Sequence, residues 1–227
     1  QETDPTQMGS KNGAAPTTDG AWADWIECFL EYSDGIPSPP IFRLWAAIAS
    51  VGGALERRVW VETARSRLFP NLYTLFVANP GIGKTEGIKL VQELWYQARP
   101  KDKECKLQMA PDNVTRAALI DCIAEADRKI VLDSSHVLQY HSLMAFADEF
   151  GVLVPSHDLD FLSTMNKIFD NPRHYIESKR GFNGKKIEIT HPQLNLLAGT
   201  QPSYLANLLP EEAWSMGFTS RLLLIYA

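Results

Sequence analysis

The 227 residues, 45% hydrophobic and 22% charged, supply a sizeable core for one large domain or a domain with a small appendage. The net charge of −5 excludes binding to polyanions by the whole surface, so a nucleic-acid contact has to come from a local basic patch. Cys28, Cys105 and Cys122 are odd in number and lack a CxxC pair, which speaks against a zinc ribbon or disulfide framework. With no signal peptide and no apolar run near the ~18 residues of a membrane span, a cytoplasmic protein without a membrane partner is expected.

Residues 1–20 lack aliphatic periodicity and are expected to be a flexible arm. Residues 21–68 are expected to form a small helical appendage. Within it Trp22, Trp25, Ile26, Phe29 and Leu30 share one helical face, a Pro-rich break follows, and a second helix spans Ile41–Leu55. Arg57–Glu62 then alternates like a short strand. Residues 69–227 are expected to be the core. It opens with a buried strand, Tyr73–Val77, and a helix of about 84–98. After a charged loop from Arg99, the pattern predicts a strand over Lys106–Ala110 and a helix capped by Asp112 or Asn113 running through Ala126. Lys129–Leu132 reads as a strand and 158–169 as a helix. Asn183-Gly184 reads as the turn of a hairpin over 175–189. The last strands are Gln193–Ala198 and Leu222–Tyr226. Strands alternating with helices predict an α/β fold, a three-layer sandwich with a mostly parallel sheet.

The chemistry begins between the first core strand and its helix. Ala78, Asn79, Pro80, Gly81, Ile82, Gly83, Lys84 and Thr85 form the pattern A-x-x-x-x-G-K-T. Its glycines let the backbone turn N–H groups inward, and the helix N-terminus adds its dipole, so the loop is expected to cradle the phosphates of ATP. Lys84 can reach the β- and γ-phosphates, and the Thr85 hydroxyl can join a Mg2+ shell. The plain alternative is a glycine turn.

An apolar strand then ends in Asp148-Glu149, at the carboxyl edge where such sheets bind ligands. Asp148 is expected to hold the Mg2+ shell and Glu149 to polarise water. The alternative is an ordinary acidic turn. Thr200 or Gln201, closing the strand from Gln193, is expected to stand between base and γ-phosphate, unless Gly199–Pro202 is simply a loop. Arg221 precedes the final strand, and is either an arginine finger reaching a neighbouring subunit or a surface arginine. Lys179, Arg180, Lys185 and Lys186 with Phe182 make the hairpin the best local nucleic-acid patch, or else a solvated edge. The five histidines form no HxH or HxxxH pair, so a protein zinc site is not expected.

In this order, the loop, the Asp-Glu strand, the basic hairpin, the polar strand end and the Arg before a strand resemble the hexameric AAA+ helicases. FRLWAAIASVGGALERRVW, PNLYTLFVANPGIGKT, FADEFG, KIFDNPRHYIESKRG, LLAGTQP and GFTSRLLLIY resemble, more narrowly, phage- and prophage-encoded primase-associated helicase-like P-loop ATPases. That resemblance implies ATP and Mg2+ as cofactors, self-assembly into a ring (hexameric in that group), and single-stranded DNA as partner. It implies catalytic roles for Lys84, Glu149, Thr200, Gln201 and Arg221, with Thr85 and Asp148 on the metal. The primase half of such proteins is not in this sequence, and the chain stops inside a strand, so the core is expected to be truncated there. An ATP-switched regulatory or recombination oligomer and a small-molecule kinase are the other readings. A kinase needs an acceptor pocket, whereas the consecutive Asp-Glu favours water.

Overall fold

The computed structural model of the chain describes residues 24–98, 107–131, 137–155, 157–178, 186–209 and 216–227. The expected flexible arm over 1–20 lies outside them. Their centre is strand β3 (Tyr73–Val77), buried at all five positions, as a parallel strand covered on both faces must be. It lies between β8 (Pro192–Thr200) and β9 (Leu222–Tyr226), parallel to both. Beyond β8 come β5 (Val137–Ala147), also parallel, and β4 (Asp127–Val131), an antiparallel edge. The five-stranded order is β4-β5-β8-β3-β9, and the expected α/β fold with a mostly parallel sheet is present.

Strand side chains alternate between faces, and this sorts the core into two halves. Leu75, Val77, Ala145, Ala147, Leu196 and Ala198 face helices α4 (Arg116–Glu125) and α6 (Leu159–Phe169). Phe76, Met144, Phe146 and Leu197 face α2 (Pro40–Leu55) and α3 (Lys84–Gln97). Burying one such aromatic or aliphatic side chain contributes about 1.5–3 kcal/mol. Helix α2 starts on Pro40, whose missing N–H costs nothing at a first turn. It lies in the same core as the sheet, with Phe42 stacked on Phe76 at 4.6 Å. Of the expected appendage over 21–68, α2 is therefore packed directly on the sheet. Helix α1 (Trp25–Tyr32) is capped by Asp24, which accepts from the Ile26 N–H at 2.8 Å, and it buries Phe29 alone. Trp25 lies on the outside, stacked on Phe29.

Several expected elements shift. The strand over 57–62 shrinks to β1 (Val61–Glu62), which pairs with β2 (Arg67–Leu68) as an exposed ribbon. The expected strand ending at Ala110 is a single parallel bridge from Met109 to Met144. Thr115, not Asp112 or Asn113, caps α4, because its hydroxyl is the one that accepts from the Ala118 N–H. Two short helices absent from the sequence reading, α5 (Phe150–Leu153) and α7 (Pro202–Leu208), follow the carboxyl ends of β5 and β8.

The basic hairpin exists as β6 (His174–Ser178) and β7 (Lys186–Thr190), anchored by a bidentate Arg116–Glu177 pair at 2.8 and 2.9 Å. Its register pairs Ser178 with Lys186. The expected turn on Asn183-Gly184 lies outside the described residues. Lys179, Arg180, Phe182 and Lys185 lie outside the described residues. No helix among the described residues is long and apolar enough to cross a membrane.

Candidate active site

Two strand registers assemble the site. Val77 lies beside Thr200, and the Ala78 N–H donates to the Thr200 carbonyl at 3.3 Å, so the 78–85 loop starts level with the end of β8. Ala147 lies beside Ala198, and two further residues on each strand bring Glu149 alongside Thr200. By the same alternation Asp148 projects to the opposite, α3, face, where Lys89 pairs with it at 3.3 Å. Both partners are about half exposed, so that pair contributes little to stability.

The loop closes onto α3 through Gly83, the residue before its first turn, held in the left-handed region at φ 82°. Lys84 is buried, and its Nζ donates to the carbonyls of Ala78 at 2.7 Å and Asn79 at 3.0 Å. Burial pulls the Lys84 pKa down, and Glu149 pulls it part of the way back. Burial raises the Glu149 pKa, opposed by the Thr200 hydroxyl and then by Lys84. Thr200 acts on it at close range without a well-formed hydrogen bond. Glu149 Oε1 and Thr200 Oγ1 are each buried with no partner among the described residues. Orphaned polar atoms are uncommon in a core, and here two lie together beside a lysine.

A cavity of 440 Å3 opens over these groups, lined by Gly81, Gly83, Lys84, Thr85, Asp148, Glu149 and Gln201, with Pro37 and Glu86 on its rim. Of the expected site residues, the cavity gathers Pro80, Gly81, Gly83, Lys84 and Thr85 of the loop, both carboxylates and Gln201; Ala78, Asn79 and Ile82 do not line it, and Thr200 is buried. It has a cation, N–H donors at a helix start, a hydroxyl and two carboxylates, which is the donor set a polyphosphate and its magnesium ion would meet. Thr85 and Asp148 could each offer one oxygen to a hard cation. The described residues contain no cluster of three or more acidic, histidine or cysteine ligands.

Arg221 is not brought to this cavity. It closes a 3-10 turn (Thr219–Arg221) before β9, at the amino-terminal edge, five residues or ~16 Å of strand from the site. There it binds Asp170 in bidentate fashion, at 2.9 and 3.0 Å, and donates to the Gly217 carbonyl at 2.7 Å. Lys186 starts β7, away from the cavity. Pro37 and Lys89 were missed from the sequence. Lys89 stands four residues after Thr85, at helical spacing for the same side, whereas nothing in the pattern marks Pro37.

Neither a scan against protein-family models nor a search of curated proteins returns a match to this chain.

Proposed function

We propose that the chain is a Mg2+-dependent ATPase with the P-loop nucleoside-triphosphatase fold, working on DNA as an oligomeric, helicase-like motor of phage or mobile-element replication. The observation that carries the ATPase reading is the one cavity shared by Lys84, Thr85, Asp148, Glu149 and Gln201. In this reading the loop N–H groups and Lys84 hold the β- and γ-phosphates, and Thr85 and Asp148 hold Mg2+. The metal, when bound, neutralises charge on the β- and γ-oxygens. Glu149 orients the attacking water and takes its proton, and Thr200 and Gln201 steer the water or the γ-phosphate. Arg221 cannot serve its own site at this distance. It would act on a neighbouring copy, and only after leaving Asp170. That clamp favours, as a second reading, a switch in which nucleotide orders an oligomer on DNA or protein without strand separation.

The test is Mg2+-dependent ATP turnover with and without single-stranded DNA, with mass measured in each condition. Lys84→Ala is expected to lower kcat/KM by about 100- to 1,000-fold, as loss of one preorganised charge does in other sites. A wild-type chain without turnover would remove the enzyme reading. DNA-independent turnover in a monomer would remove the motor.

The pH profile follows from the two shifted groups. Glu149 must be ionised to take a proton, and its raised pKa moves the acid limb of kcat/KM above the ordinary carboxylate range. Lys84 must stay protonated, and its lowered pKa moves the alkaline limb below the ordinary lysine range. Turnover therefore rises with pH through the first group and falls through the second. A profile flat across the carboxylate range would dissociate Glu149 from the proton transfer.

A further inference from the structure

A cavity of 870 Å3, about twice the volume of the candidate active site, lies at the opposite, amino-terminal edge of the parallel sheet. Arg57 stands in its wall, 4% exposed, with its guanidinium 3.8 Å over the Phe69 ring and one N–H donated to Asn171 Oδ1 at 3.0 Å. No carboxylate among the described residues pairs with it. Burial lowers its pKa to about 10, still charged at neutral pH. A buried cation is costly unless an anion meets it, so Arg57 is a preformed anion receptor.

The surrounding groups agree. Arg65, at the turn of the β1–β2 ribbon, and Arg173, before β6, are exposed on the rim without an ion pair among the described residues. The two carboxylates in the lining are already engaged: Glu62 by Arg67 at 3.0 Å and by the Trp60 indole N–H at 3.3 Å, and Asp170 by Arg221. Burial lowers the pKa of the lining His191, its hydrogen bond with the Gln139 carbonyl opposes this, and Arg57, His174 and Arg173 add smaller lowering effects, as a positive field would. Trp60 is 39% exposed, with the Arg67 guanidinium 4.6 Å over one face and Phe69 tilted beside it at 6.4 Å, and its remaining exposed surface is what a base would meet.

We infer that this cleft binds a single-stranded polynucleotide, its phosphates on Arg57, Arg65 and Arg173 and a base against Trp60. A strand fits better than a free nucleotide because Arg57, Arg65 and Arg173 reach the cavity from three separate segments of the chain, while His174 in the lining is held by Glu188 at 3.3 Å. The inference does not depend on ATP hydrolysis.

The test is fluorescence anisotropy of a labelled oligothymidylate with the full chain, without ATP, over a series of salt concentrations. Arg65→Ala combined with Arg173→Ala, both exposed, is expected to weaken binding at least about tenfold. It should also reduce the log–log salt slope by about 1.4, or about 0.7 for each lost single-strand phosphate contact. Lys84→Ala, and Lys129→Ala on the edge strand β4, should leave affinity unchanged. Undiminished affinity in the double variant, or an equal loss in Lys129→Ala, overturns the assignment. Loss confined to Lys84→Ala would move binding to the phosphate loop, and competition by thymidine monophosphate at the oligomer's own concentration would make this a mononucleotide site. Either result also overturns it. If ATP turnover is absent while this pattern holds, the ATPase proposal fails and the cleft stands.

Discussion

Glu149→Gln is expected to lower ATP turnover by about 100- to 10,000-fold while nucleotide stays bound, the range over which a positioned general base contributes. The substitution is nearly isosteric, and Glu149 sits in extended backbone at the start of α5 without capping the helix through its side chain, so the fold loses little. What changes is charge. The wild-type carboxyl has its pKa raised by burial, which brings it nearer the working pH of a base; Thr200 and Lys84 oppose that shift without cancelling it. An amide cannot take a proton from water. It also removes a negative charge from the place where the γ-phosphate would lie, so nucleotide affinity should be unchanged or higher. Rapid-quench single turnover gives the rate, and nucleotide retained through gel filtration gives the binding. Unchanged turnover would remove Glu149 from the base role. Loss of both turnover and binding would place its importance in the structure of the loop.

The meeting of Glu149 with Thr200 was legible before any coordinates because both follow from strand endings. An apolar run that ends in Asp-Glu and another that ends in Gly-Thr, in one parallel sheet, finish at the same edge. The turn between β3 and α3 was legible because Gly81 and Gly83 break the apolar run, and both take φ 82° in the structure. Contacts between segments far apart in the chain were not. Nothing local in Asp170 announces Arg221, 51 residues on, as its partner. A surface arginine, a finger and a clamped arginine have the same sequence. Arg57 likewise reads as one position of an alternating strand, and only the fold lays it over Phe69 with no carboxylate pairing it among the described residues. Helix α2 reads as buried because it is apolar on most sides, and the structure sets its small residues and Phe42 against the sheet; which face of the sheet it covers is a tertiary choice that periodicity alone does not contain. The two strands of the hairpin were legible in place, whereas the Arg116–Glu177 pair that anchors them joins residues 61 apart in the chain and was not.

Gly83→Ala is expected to disable the phosphate loop, and Gly81→Ala to be far milder, although both glycines have φ 82°. The shared backbone conformation gives each alanine a similar conformational cost, on the order of 1 kcal/mol. The surroundings then separate them. A Cβ at Gly81 meets nothing within 4 Å, whereas a Cβ at Gly83 would run into the Pro37 carbonyl, with the Ser38 Cα 2.8 Å away. Those obstacles are backbone and cannot rotate aside. The segment that carries them is pinned at both ends, by the Ser33 N–H donating to the Phe29 carbonyl at 2.9 Å and by α2 packed in the core. Relief would have to come from moving that segment or from opening the turn that starts α3. Overpacking of this kind costs roughly 1–3 kcal/mol beyond the strain. In total Gly83→Ala should lose roughly 2–4 kcal/mol of stability, and nucleotide affinity should fall further, since the loop N–H groups shift with the turn. Urea unfolding gives the first quantity and a fluorescent-nucleotide titration the second. Equal behaviour of the two alanines would show that Pro37 does not press on the loop in solution. The predicted order, Gly83 much worse than Gly81, would make residues 33–39 part of the site, so that a substitution moving α2 is felt at the phosphates.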